Sequence, residues 1–254
     1  QYGNTPLMQM GFEPGEGMRE FRRVGGSRSG YLMGRVLRRD EKGNETTAQM
    51  FVDEQRMDGG ITGGTNVRTF DFDVHRTRQL RGGHQLMVST GFRSNTIDTK
   101  GTRYFWLDPA AAAYRVYNAV IQDEWQVVPD QLYLTGGTKL EYLSQSGWNL
   151  QPSVRALWAP VGRIVAWGAY SHAVRTPSHA DLALRYPIGI PGAPFPLELA
   201  GNEQVQPERL DGTEAGMRLR VGKRMAVDVA VFRHRYRDLL AFAMEPVTPR
   251  AIER

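Results

Sequence analysis

The chain has 254 residues, with 32 Lys and Arg against 27 Asp and Glu for a formal net charge of +5, 28 Gly, 14 Pro and no Cys. The missing cysteines exclude a disulfide framework, a thiolate metal site and a cysteine nucleophile. Basic residues are interleaved with acids along the whole chain, which argues against nucleic acid as a partner, and no apolar run approaches the ~18 residues that a membrane-spanning helix requires.

In chain order, residues 1–29 precede the first clear strand and are expected to form an external loop or irregular segment. Its Arg19, Arg22, Arg23 and Arg28 read as solvated side chains, with lipopolysaccharide phosphates as the functional alternative. From 30 to 240 the dominant period is two, the mark of strands with one apolar and one polar face. Residues 68–74 carry Phe70, Phe72 and Val74 on one parity, and 85–93 carry Leu86, Val88 and Phe92. Over 131–142 the even positions Leu132, Leu134, Leu140 and Tyr142 oppose Gln131, Thr135, Lys139 and Glu141. Residues 149–158 set Leu150, Val154 and Trp158 against Gln151, Ser153 and Arg155. The pattern returns with Ala215, Met217 and Leu219 against Glu214, Arg218 and Arg220, then with Val227, Val229 and Val231 against Asp228 and His234. About ten such segments of roughly ten residues are expected, long enough to cross a bilayer when tilted. Residues 241–254 are expected to start the next loop.

The connections alternate in length. Short turns are expected at 39–45, 80–83, 128–130, 160–162 and 222–224, and longer ones at 58–65, 96–114 and 175–206, with a brief one at 144–147. Short turns on one rim and longer loops on the other suit an outer-membrane barrel. A soluble sandwich has the same alternation, with its polar face toward bulk water. Strand length, turn alternation and the aromatics Tyr31, Trp125, Tyr142, Trp148 and Trp158, taken as interfacial girdles, favour the membrane. On that reading Lys139, Glu141, Arg155, Arg218 and Asp228 face a hydrated interior. Asp123, which shares parity with Ala119 and Ile121, must then lie near the rim of short turns, where charge on the lipid side costs little.

Several stretches carry a family resemblance. NAVIQDEWQVVPDQLYLTGGTKLEY at 118–142, NLQPSVRALWAP at 149–160, WGAYSHAVRTPSHADL at 167–182, GNEQVQPERLDGTEAGMRL at 201–219 and VRTFDFDVHRTRQLRGGHQLMVSTGFR at 67–93 resemble, in order, parts of the C-terminal barrel of TonB-dependent outer-membrane receptors. The resemblance implies an all-β fold, a partial antiparallel transmembrane β-barrel holding about ten of about 22 strands. No stretch resembles the plug domain, the TonB box or the aromatic-ended last strand. The chain opens on Gln1 without a basic and apolar leader and stops within a polar stretch, so it reads as a middle slice of a longer protein.

The family implies a parent in the Gram-negative outer membrane that binds a scarce nutrient complex, such as an iron chelate or a cobalamin. Import would draw energy from the TonB complex through the parent's plug, without covalent chemistry and without a cofactor. The partners implied are the nutrient complex, TonB and outer-membrane lipids, and the ligand's identity stays open. A passive porin shares the alternation and needs no plug; a barrel enzyme would need a rim cluster of Ser, His and acid, for which no spacing is present.

The residues themselves suggest no catalytic, metal or cofactor site. His75, His84, His172, His179 and His234 are too scattered for a ligand motif, and the paired glycines lack a phosphate-loop spacing and read as turns. Substrate-binding candidates fall on the longest connection, where Arg175, His179, Arg185 and Tyr186 stand near an external mouth and cations attract an anionic chelate. The competing reading has Pro177 stiffening the loop entry and Arg175 paired with a lumen carboxylate. The proline-rich stretch 189–196 is expected to be an irregular external loop.

Overall fold

The computed structural model describes residues 2–13, 17–59, 63–102, 105–188, 197–222, 224–241 and 243. In chain order the elements are β1 (Tyr2–Glu13), β2 (Gly17–Arg39), β3 (Glu45–Asp58), β4 (Gly64–Gln79), β5 (His84–Thr99), β6 (Trp106–Leu107) and β7 (Ala111–Val128). There follow β8 (Leu132–Leu143), β9 (Gly147–Val161), β10 (Ile164–Arg175), α1 (His179–Ala183), β11 (Leu184–Ile188), β12 (Leu197–Ala200), β13 (Glu208–Val221) and β14 (Met225–Arg237). Eleven strands make one antiparallel sheet in the order β1-β2-β3-β4-β5-β7-β8-β9-β10-β13-β14. Each strand pairs with the next long strand in the chain, so the sheet is a meander, and β1 and β14 pair on one side only.

Residues 40–44, 80–83, 129–131, 162–163 and 222–224 close one rim, and 59–63, 100–110, 144–146 and 176–207 connect strands at the other. The two-rim layout expected from the sequence is therefore present. Left-handed residues make the tight turns possible, among them Gly82 and Gly83, both at φ 81°. A side chain at Gly83 would place its Cβ 2.9 Å from the Gln126 carbonyl oxygen, so that turn also lies directly on β7.

Burial is the reverse of a soluble protein's. Among the described residues, Leu143 and Ala183 are the only buried hydrophobic side chains, while Leu150, Val154, Trp148, Val229 and Val231 stand exposed. Cross-strand register places the apolar parity of every strand on one face: Leu134 lies opposite Trp125 and Ala156, and Met217 opposite Ala166 and Val229. The sandwich alternative requires a second sheet over that face, and among the described residues no strand covers it. An apolar face without a cover on a sheet this wide is a lipid face.

The two faces hold different chemistry. On the apolar face, Phe72, Phe92, Tyr117, Tyr142 and Trp148 are consecutive register partners from β4 to β9. Ring centroids lie 4.9 Å apart for Phe92 and Tyr117, 6.3 Å for Tyr117 and Tyr142, and 5.1 Å for Tyr142 and Trp148. On the polar face, ion pairs join Arg93 to Asp71 at 2.7 Å, Lys139 to Glu141 at 2.6 Å and Arg218 to Asp228 at 2.5 Å. Asp123 sits on the apolar face five residues before the end of β7. There it meets His84 at 2.7 Å, and His84 stacks on Trp125, which shields the charge near the short-turn rim.

Several expectations are corrected. Residues 2–13 and 17–29 lie in β1 and β2 rather than in an irregular segment. In 17–29, Arg22, Arg23, Gly25 and Gly26 interrupt the apolar alternation, and the backbone ladder, with Gly26 opposite Asp58, carries β2 beyond the patterned stretch; β1, with Tyr2, Pro6, Met8, Met10 and Phe12 on one parity, pairs along β2. The main sheet has eleven strands, in keeping with the expected number of about ten, but these run 12 to 23 residues rather than about ten, because pairing continues past the lipid band. Tyr31 is no girdle residue: it is opposite Asp53 on the polar face. The side chains of Arg19, Arg22 and Arg23, the stretch 189–196 and most of 241–254 lie outside the described residues.

Candidate ligand-binding rim

The long-loop rim carries an ordered assembly that the period-two reading did not anticipate. Strands β12, β11 and β6 make a separate three-stranded sheet, which joins the 100–110 connection to the 176–207 connection. The Asp108 N–H donates to the Ala183 carbonyl at 2.8 Å, and Gly201 donates to Leu184 at 2.7 Å. The Lys100 N–H donates to the Gly64 carbonyl at 2.9 Å, which carries the β4–β5 ladder one step further to the rim.

The sequence Ser178-His-Ala-Asp181 starts α1 with a capping box. The Asp181 N–H donates to Ser178 Oγ at 3.2 Å, and the Ser178 N–H returns to Asp181 Oδ2 at 2.8 Å. A helix of five residues cannot hold itself, and its first residue ties it down. His179 is buried; its Nε2–H donates to the Pro109 carbonyl at 3.0 Å, and Nδ1 accepts from the Tyr114 hydroxyl. Burial holds the imidazole below the usual histidine range, only partly offset by the bond to Pro109, so it is neutral with the proton on Nε2. Because Tyr114 is on the polar face, opposite Asn95, this contact draws α1 over the interior side of the sheet.

Of the four residues expected near the mouth, His179, Arg185 and Tyr186 are on this connection and Arg175 is the last residue of β10; each has partners there. Arg175 ends β10 and pairs with Glu208 across the sheet at 3.0 Å and with Asp181 at 3.7 Å, the carboxylate-paired alternative. Arg185 donates to the Gly201 carbonyl at 3.2 Å and lies 3.8 Å from Glu198. Tyr186 meets Phe105 edge to face at 6.5 Å. Arg175 and Arg185 thus brace the loops with their charge already matched, rather than presenting it to an anion. Asp181 and Glu208 were missed; the Ser-x-x-Asp spacing was the available signal for the first. No sequence signal marks the meeting of Tyr114 and His179, 65 positions apart.

Gly201 packs against the turn after α1. A Cβ there would come within 2.7 Å of Ala183 N and 2.8 Å of Leu184 N, so only glycine lets the two backbones meet. Among the described residues, no group of three or more His, Cys, Asp or Glu is placed to hold a metal.

A one-layer antiparallel meander with a lipid face, a charged inner face, short turns on one rim and interlocked loops on the other defines the wall of an outer-membrane β-barrel. The family model "TonB dependent receptor-like, beta-barrel" matches residues 20–252. The chain belongs to this family, whose members are outer-membrane receptors and transporters. No curated protein matches it in sequence. Among solved structures it resembles the siderophore receptor PirA from Pseudomonas aeruginosa at 15% identity, covering 84% of this chain and 39% of that one with a TM-score of 0.69. A variant of the ferric enterobactin receptor PfeA from the same organism gives 15% identity, 84% and 35% coverage, and 0.72. The iron transporter FrpB from Neisseria meningitidis gives 14% identity, 87% and 37% coverage, and 0.63. At these identities the likeness is one of fold, and the chain spans little more than a third of each neighbour.

Proposed function

We propose that this chain forms part of the barrel wall and loop cap of an outer-membrane receptor that imports a nutrient complex, of the iron-chelate class, with energy delivered through TonB. The reading rests on the family match over 20–252, and the structural neighbours, siderophore receptors and an iron transporter, suggest the class of nutrient. In this account the interlocked connections 100–110 and 176–207 form one side of the mouth. Arg175, His179, Arg185 and Tyr186 serve ligand capture by fixing loop shape, and the reaction is binding and passage without covalent chemistry.

The geometry favours that division of labour. A loop that must present a constant surface to a diffusing ligand gains affinity when its ordering cost is met before binding. Capping box, buried imidazole and matched arginine charges provide that order. The test is uptake by iron-limited cells lacking the gene. Loss of uptake of one ferric chelate, restored by the gene and abolished when TonB is deleted, supports the reading. Uptake that survives the TonB deletion contradicts it and favours a passive channel.

A further inference from the structure

A cavity of about 450 Å³ opens at the short-turn end of β2, β3 and β4, lined by Val36, Arg38, Asp40, Asn44, Thr46, Ala48 and Arg76. Register places its strand residues on one face, with Arg38 opposite Thr46 and Thr46 opposite Arg76, and with Val36 opposite Ala48. That is the parity of Met50, Phe70 and Phe72, so the cavity opens on the lipid side of the sheet. Arg38, Thr46 and Arg76 lie within a few residues of the strand ends at Arg39, Glu45 and Gln79, the level where hydrocarbon gives way to headgroups.

Two unmatched cations on a lipid-facing surface need a counter-charge. Arg38 and Arg76 have no hydrogen bond or ion pair among the described residues, and their backbones stand two strands apart, about 10 Å. Glu45, the first residue of β3, is bound to Arg39 on the opposite face at 2.6 Å. Asp40 is committed to the turn: Asn44 Nδ2 donates to it at 2.7 Å, and the Asn44 and Lys42 N–H groups at 2.9 Å each. The Asn44 bonds hold the Asp40 carboxyl below its ordinary range, so it remains ionised. Two guanidiniums and one carboxylate leave the cavity at +1, matched by one phosphodiester. Val36 and Ala48, farther from the rim, offer an apolar wall for the first methylenes of an acyl chain.

We propose that this cavity is a binding site for one anionic diacyl phospholipid, of the phosphatidylglycerol type, in the leaflet at the short-turn rim. Arg38 and Arg76 grip the phosphodiester from either side, Thr46 donates between them, and the chains descend along Val36 and Ala48. The site rests on the reading that the apolar face meets lipid, and it is independent of the imported nutrient.

Native mass spectrometry of the protein extracted from membranes in mild detergent, titrated with phosphatidylglycerol, phosphatidylcholine or inorganic phosphate, tests it. The expected result is one retained phosphatidylglycerol, with phosphatidylcholine about tenfold weaker, the scale of one charge-assisted contact. Arg38→Gln with Arg76→Gln removes the bound lipid, and Ala48→Phe, which fills the apolar wall and leaves both charges, weakens it. Arg233→Gln with Arg235→Gln, on the same face toward the other rim, leaves it unchanged. Equal retention of the two phospholipids, retention in the double Arg38 and Arg76 variant, or inorganic phosphate displacing the lipid would overturn the proposal while the lipid-facing reading stands. A protein that enters neither membranes nor micelles would overturn both.

Discussion

His179 is the residue on which the loop cap turns, and its protonation state gives it a sign. Its folded value is depressed below the ordinary 6.5 because burial disfavours the imidazolium. The unfolded loop therefore binds the proton more readily, so the stabilisation is complete above about pH 6.5 and declines as pH falls through the folded value. Protonated Nδ1 also loses its ability to accept from Tyr114. Hydrogen-exchange protection of the Asp108 and Gly201 amides, corrected for intrinsic rate, is expected to drop below pH 6.5, with β8 and β9 unaffected. His179→Gln should abolish that dependence; a dependence that survives it would place the titrating group elsewhere.

At the scale of elements, the cap stands on contacts made at its ends. Ser178→Ala removes one half of the capping box and is expected to cost about 1 kcal/mol locally, seen as faster exchange in α1 with the barrel's thermal unfolding unchanged. Gly201→Ala forces a Cβ into backbone at 2.7 Å and should disorder the β11 and β12 pair more than Ser178→Ala does. Proteolysis in the 176–207 connection measures both, and wild-type resistance in Gly201→Ala would contradict the packing described. In the sheet, Tyr142→Ala removes two ring contacts from the aromatic row, each of about 0.5–1.5 kcal/mol. Its heat-modifiable band on gels should unfold at lower temperature than that of Thr135→Ala on the polar face.

Over the whole molecule, the meander was legible because its strands alternate and its connections alternate too. Both signals are local, and together they located nearly every turn. Three things were not legible. The start of β2 is held by backbone pairing where Arg22, Arg23, Gly25 and Gly26 break the alternation, and β1 carries only a short parity of Met8, Met10 and Phe12 before the turn to β2. The three-stranded sheet at the rim joins connections remote in sequence, as Leu184 with Leu107 and Arg185 with Trp106 show. The connection that holds His179, Arg185 and Tyr186 stands out by its length and its Arg-Thr-Pro-Ser entry, yet the partners of these residues and of Arg175, namely Glu208, Glu198, Tyr114 and Phe105, could be found only in three dimensions. The edges carry their own consequence: β1 and β14 each leave one row of backbone groups unpaired, which costs several kcal/mol per group in lipid. Made alone, these 254 residues are expected to self-associate, and a monodisperse monomer in detergent-free buffer would contradict that.

The central claim is that one parity of the sheet meets lipid and the other meets water, and the absence of cysteine allows a clean test. Single cysteines at Leu134, Leu140, Thr135 and Lys139, read in outer-membrane vesicles with a membrane-impermeant maleimide and by spin-label accessibility to oxygen and to a polar nickel chelate, report the environment directly. Labels at 134 and 140 are expected to be oxygen-accessible and unreactive, and those at 135 and 139 water-accessible and reactive. Equal reactivity at all four, or water access at 134 and 140, would contradict it.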